Sequence, residues 1–351
     1  VKLGHLHHLR GVAATAVAFS HVAHWGGPTF AAPQVKPRLL AVGDLAVLVF
    51  FMISGFLMVH VHGRDFGRPA ALRDYAIRRV LRIYPAYWFF LAVTAILLTG
   101  TAWPRWAEFP REAEPAAVVG AITLVPLSPR LVSFVPTDWT LYHEVCFYAV
   151  VAAAIADRRL GVVVAAAWFG ASAVAAGRLG FSVGKVNLFF LVGGVLAAAR
   201  PWLARVPTGV ARAVGAAAVV GVAATLALRE VPAARSLERS AGLGMIVLMV
   251  AAVVAVDAGP GRAAPRPRAV SRLLDRLGDA SYSVYLGHPL VQGGLRWLWG
   301  PPDDVAGLLL FGLAPAVVLF PAWRWIEAPA MTLGRRLCRG AAAEGRPASG
   351  G

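Results

Sequence analysis

The sequence predicts an all-α, polytopic integral membrane protein with about ten transmembrane helices and both termini in the cytoplasm. Three observations lead there. Of 351 residues, 58% are hydrophobic and only 15% charged, a balance outside that of soluble enzymes. The apolar residues gather into runs close to the roughly 17–25 residues that a membrane helix needs. The basic residues, 34 against 18 acidic ones for a net charge of +16, sit in the short connections between those runs. They favour the loops on the N-terminal side of the membrane by roughly two to one, which is a topology signal and not a nucleic-acid surface.

In order, the runs lie near 10–26, 39–60, 85–100, 139–156, 160–177, 184–199, 209–228, 240–257, 281–299 and 305–328. The stretch 116–129 is apolar but short, as a re-entrant or interfacial piece would be. Residues 1–339 read as a single integral domain and 340–351 as a flexible tail. Cys146 and Cys338 are too few and too far apart for a disulfide framework and are expected as free thiols. No cleavable leader is expected at the N-terminus.

The first run carries Arg10 and, eleven residues on, His21. In a helix that spacing is about 16 Å of rise and about 20° of net rotation, so both side chains share one face at different depths. Ionisable groups inside apolar helices cost about 3 kcal/mol by insertion scales and commonly face a cavity or reaction site. A snorkelling arginine and a histidine bonded to a carbonyl are the plainer reading. The second run contains FFMISGFLM, where Ser54 and Gly55 permit a close neighbour, and opens near Asp44, a possible partner for His21.

Next comes RDYAIRRVLRIYPAYW. Arg78, Arg79 and Arg82 recur at helical spacing and suit a polyphosphate, although a basic cytoplasmic loop needs no such role. Tyr84, Tyr87 and Trp88 read equally as interfacial aromatics. The fourth run opens DWTLYHEVCFY and places Glu144 inside an apolar helix on the outer side, where a carboxylate needs a partner. The fifth to eighth runs are scaffold in character. The basic stretch with Arg262, Arg266, Arg268, Arg272 and Arg276 precedes LGDASYSVYLGHPL. There Asp279 and Ser281 are candidate N-caps of an anion-binding helix start, and His288, with Pro289 beside it, is a second candidate base. Near the end, Glu327 is expected to pair with Arg335 across the tail.

Together these motifs resemble the acyltransferase 3 family of integral membrane O-acyltransferases. The resemblance rests on Arg10 with His21, FFMISGFLM, RRVLRIYPAYW, the Trp139–Tyr148 motif with Glu144, LGDASYSVYLGHP and Glu327-x-Pro329, all in family order. The wording is most similar to the branch that modifies exopolysaccharide. One departure is Leu48, where many relatives carry an acidic residue two positions before the Phe-Phe pair.

The resemblance implies a multi-pass protein of the plasma membrane that uses acyl-CoA, commonly acetyl-CoA, as donor and a carbohydrate hydroxyl as acceptor. No metal is expected. A thioester is already activated, so the step mainly needs a base of near-neutral pKa for the hydroxyl proton, and His21 is the candidate. Arg10, Arg78, Arg79 and Arg82 are the candidate CoA phosphate ligands, with Ser281 and Tyr282 lining the donor entrance. Glu144 either supports His21 or binds the sugar. Two alternatives remain: acylation of a sugar on a macrolide-type metabolite, and transport or flipping of a lipid-linked glycan, against which the lack of a visible internal repeat counts.

Overall fold

The computed structural model describes residues 3–100, 115–127, 134–174, 184–228, 235–259 and 268–344, and those residues are helical with connecting turns. The long helices are α1 (Gly4–Trp25), α2 (Lys36–His62), α3 (Leu72–Gly100), α4 (Pro115–Thr123), α5 (Asp138–Ala156) and α6 (Arg158–Val174), followed by α7 (Leu188–Leu203), α8 (Thr208–Leu228), α9 (Arg235–Ala258), α10 (Arg268–Trp299), α11 (Val305–Val318) and α12 (Ala328–Glu344). The chain divides into two compact units, one of residues 1–61 with 184–319 and the other of 62–183 with 320–351.

Seven segments among the described residues are long and apolar enough to cross a membrane: Lys36–His62, Pro69–Leu97, Asp138–Ala156, Lys185–Leu203, Thr208–Ala227, Ala241–Ala258 and Val305–Cys338. The protein is therefore a multi-pass membrane protein. Many large apolar side chains point outward, among them Ile96, Val162, Val163 and Val220, as lipid-facing surfaces require. The helices α1 and α10 fall outside the seven because histidine, arginine, aspartate and serine lower their hydropathy. Instead α1 is mostly buried or half-buried, and α10 is buried without interruption from Ala280 to Leu290.

In the first unit α1 is the hub, packed against α9, α10 and α11. Small residues make this possible. A Cβ on Gly11 would stand 2.6 Å from the Gly278 amide nitrogen, and one on Gly43 of α2 would collide with the Ser20 hydroxyl. Gly55 of FFMISGFLM lies against the Phe190 carbonyl of α7, and Gly193 of α7 against the Met52 carbonyl, so the motif serves reciprocal backbone contact between α2 and α7. Phe51 stacks on Phe190 beside them, with ring centroids 4.4 Å apart. The free amides at the start of α1 are met by Asp257 of α9, whose carboxylate accepts from His5 N (3.1 Å) and Leu6 N (2.9 Å), as the positive end of a helix favours. At the other end Arg296 donates to the Trp25 carbonyl. Gly300, at φ 82°, closes α10 in the left-handed conformation that glycine adopts without strain.

In the second unit α5 packs on α6, and α3 on α5 and α12. The segment 116–129 is described as far as residue 127 and contributes α4, nine residues long. At about 13 Å such a helix is too short to span a bilayer. Its last carbonyls are met by the aromatics of IYPAYW: Tyr87 Oη donates to Ala121 O (2.6 Å), Trp88 Nε1 to Ile122 O (3.0 Å) and Tyr84 Oη to Thr123 O (2.6 Å). These side chains thus cap a helix end that lacks internal partners. A π-helical turn, Trp323–Glu327, precedes α12. The helix α12 continues to Glu344, and residues 345–351 of the expected tail lie outside the described residues. Arg262 and Arg266 lie outside them as well.

Candidate functional site

In the first unit the close approach at Gly11 and Gly278 lays α1 and α10 side by side in the same direction. Arg10 Nη2 donates to Ser281 Oγ at 3.1 Å, and Ser281 Oγ donates back to Gly278 O at 2.8 Å. Ser281 and Tyr282 are buried. The helix start expected at Asp279 and Ser281 is not there. No residue from Arg268 onward interrupts α10, so both positions are mid-helix and offer no free amides to an anion. Instead Asp279 faces His7 Nε2 at 3.2 Å, and Asp275 faces His8 Nε2 at 3.0 Å.

Further along the same seam His21 meets His288, with His21 Nδ1 2.7 Å from His288 Nε2. His288 is fully buried, whereas His21 is half-buried. His21 Nε2 has no hydrogen-bond partner among the described residues. Asp44, the partner considered from sequence, has an exposed side chain. One turn beyond His288, buried Gln292 donates through Nε2 to Ala18 O (2.7 Å) and Phe311 O (3.0 Å), tying α1 and α11 to α10 next to the histidines. The spacing of His288 and Gln292, four apart in an apolar helix, is the signal that would have marked this polar face.

In the second unit the three arginines of RRVLR diverge. Arg78 is exposed and directs Nε to Cys338 Sγ of α12 at 3.5 Å. Arg79 lies 5.9 Å from the Tyr75 ring centre and 5.5 Å from that of Tyr148, with Nη2 3.3 Å from His62 Nε2. Arg82 pairs with buried Glu327 and contacts Met331 Sδ at 3.2 Å. The ion pair expected between Glu327 and Arg335 is not seen: the two are separated by about 12 Å of helical rise, Glu327 pairs with Arg82 of α3, and Arg335 bonds Thr332 Oγ1 at 2.8 Å. Glu144 accepts from Tyr148 Oη at 2.5 Å, one turn along α5. Arg79 and Glu144, expected on opposite sides of the membrane, therefore share Tyr148 as a neighbour. Trp139 and His143 of the same motif lie edge to face, 6.0 Å between centroids.

The chain is thus a polytopic helical membrane protein with a half-buried imidazole, held by a second histidine, on its first helix, and the comparison with known proteins supplies its class. Residues 4–324 match the acyltransferase domain of the acyltransferase 3 family, and the chain belongs to that family. Among characterised relatives it is 28% identical over 325 residues to the exopolysaccharide production protein ExoZ of Rhizobium meliloti (strain 1021), covering 87% of this chain and 95% of the relative. No solved structure matches.

Proposed function

We propose that this membrane acyltransferase moves an acyl group, in the simplest case acetyl, from acyl-CoA to a hydroxyl of an exopolysaccharide or cell-surface glycan, with His21 as general base. The observation that carries the reading is the His21 environment. One ring nitrogen is held at 2.7 Å by a buried side chain, and the other has no partner among the described residues. The relation to ExoZ supports a polysaccharide acceptor.

In this reading about ten helices cross the plasma membrane with both termini in the cytoplasm, α1 and α10 among them. The acceptor hydroxyl attacks the thioester carbonyl as its proton passes to His21. The carbon–oxygen bond forms, the carbon–sulfur bond breaks, and the proton leaves with the CoA thiol. Arg10, anchored by Ser281 beside Tyr282, serves the donor end of the α1 face. Arg78, Arg79 and Arg82 offer guanidinium groups to CoA phosphates; each has five donors, so a protein partner does not exhaust it. Glu144, bonded to Tyr148, is assigned to the acceptor.

The test is mass spectrometry of surface glycans and small metabolites from cells with the intact chain, with none, and with His21→Ala. Ester-linked acyl groups are expected to disappear from the glycan in both altered strains. Their loss from a glycosylated small metabolite instead would reassign the acceptor. Unchanged acylation in cells lacking the chain would overturn the proposal.

A further inference from the structure

Pro289 has no amide hydrogen, so the backbone bond that residue 289 would make to the Tyr285 carbonyl is missing from α10. That carbonyl is taken instead by the neighbouring side chain: His288 Nδ1 lies 2.9 Å from Tyr285 O and 3.3 Å from Val284 O. A carbonyl only accepts, so the hydrogen is on His288 Nδ1. In a neutral ring Nε2 is then an acceptor, and its neighbour at 2.7 Å is His21 Nδ1. For a neutral pair only one arrangement satisfies that contact: His21 Nδ1 donates to His288 Nε2.

We infer that His288, locked by the proline-freed Tyr285 carbonyl, is the positioning residue that fixes His21 in the tautomer with Nε2 unprotonated and available to the acceptor hydroxyl. The inference rests on His21 acting as base. It assigns to His288 the part that a carboxylate often plays behind a catalytic imidazole, orienting the ring and selecting its tautomer. During transfer the hydroxyl proton binds His21 Nε2 while the Nδ1 hydrogen stays on His21, bonded to His288. His288 neither gains nor loses a proton. Burial of His288 behind a half-buried His21 fits that order, since only the outer imidazole needs to meet substrate. Gln292 keeps the two helices in register one turn away.

The experiment measures CoA thiol release from acetyl-CoA by membranes containing the protein and its native glycan acceptor, normalised to protein amount. His288→Leu, which cannot accept from His21, is expected to lower kcat by about ten-fold or more, within the roughly 10²–10⁴-fold that a positioned base supplies, with KM for acetyl-CoA unchanged. His288→Gln, whose carbonyl can accept while its amide donates to Tyr285, is expected to recover most of that loss. Wild-type turnover in His288→Leu alongside an inactive His21→Ala overturns the inference and leaves the base assignment standing. Equal impairment of His288→Leu and His288→Gln at normal protein amounts overturns it too. An active His21→Ala defeats the base assignment itself. Should His288→Leu fail to accumulate, the ¹⁵N spectrum of histidine-labelled wild-type protein decides. His21 protonated on Nδ1 with Nε2 bare is expected, and a proton on His21 Nε2 refutes the assignment.

Discussion

Arg82 and Glu327 show how a single pair can carry two explanations. The sequence suggests a phosphate ligand in Arg82, while the structure has it neutralising a carboxylate that is 1% exposed. Breaking a buried ion pair by removing one partner costs about 3 kcal/mol or more, because the remaining charge stays desolvated. Arg82 is itself partly exposed, which puts the cost at the low end of that range. Arg82→Ala is therefore expected to reduce the amount of folded protein, and Arg82→Ala with Glu327→Gln to restore part of it, in a double-mutant cycle read by thermal stability in detergent. Additive losses would show that the two residues are not coupled. If the folded double variant has a raised KM for acetyl-CoA, Arg82 also serves the donor.

Helices form where the hydrophobic runs lie, because apolar length and period are local properties of the chain. What the helices do to one another was less accessible. Arg10 and His21 could be placed on one face from their spacing alone, but His21 and His288 are 267 positions apart and no local pattern joins them. Asp279 and Ser281 look like caps because such residues usually begin helices, yet α10 runs through them and turns Ser281 back on Gly278 O. The pairing of Glu327 was misread for a related reason: the interval to Arg335 is regular helix with about 12 Å of rise, too far for a direct pair, and the partner is Arg82, 245 positions away in the chain. Close helix contact also has a direct test. Gly193→Leu puts a side chain onto the Met52 carbonyl, and backbone cannot yield as a flexible side chain can. Overpacking of this kind costs about 1–3 kcal/mol, so a lower thermal midpoint is expected. Gly209→Leu, at a position with open space within 4 Å, is expected to leave it unchanged. Equal behaviour of the two variants would remove the α2–α7 contact from the argument.

The whole chain separates polarity from exposure to lipid. The histidine-bearing α1 is mostly buried or half-buried and α10 is buried from Ala280 to Leu290, whereas α8 and α6 present valines outward and carry little chemistry. Groups held inside a bundle need not be apolar, so in the proposed ten-helix arrangement α1 and α10 cross the membrane despite their lower hydropathy. The proposed orientation rests on charge, and it assigns Lys2, the residues between Arg64 and Arg82, and the C-terminal tail to the cytoplasmic side. With Cys146 and Cys338 replaced by serine, single cysteines introduced near these three places are expected to resist a membrane-impermeant thiol reagent in intact cells and react after permeabilisation. Labelling of any of them from outside would reverse that arrangement.

The most direct measurement is acetyl transfer by His21→Ala in native membranes, with protein amount and acetyl-CoA binding recorded in parallel. Loss of a positioned base is expected to lower turnover by roughly a hundred- to ten-thousand-fold while the protein accumulates and still binds acetyl-CoA. A packing role would reduce folded protein instead and leave the surviving fraction active. Near wild-type turnover from a normally folded His21→Ala protein would mean that the imidazole of α1 is not the base.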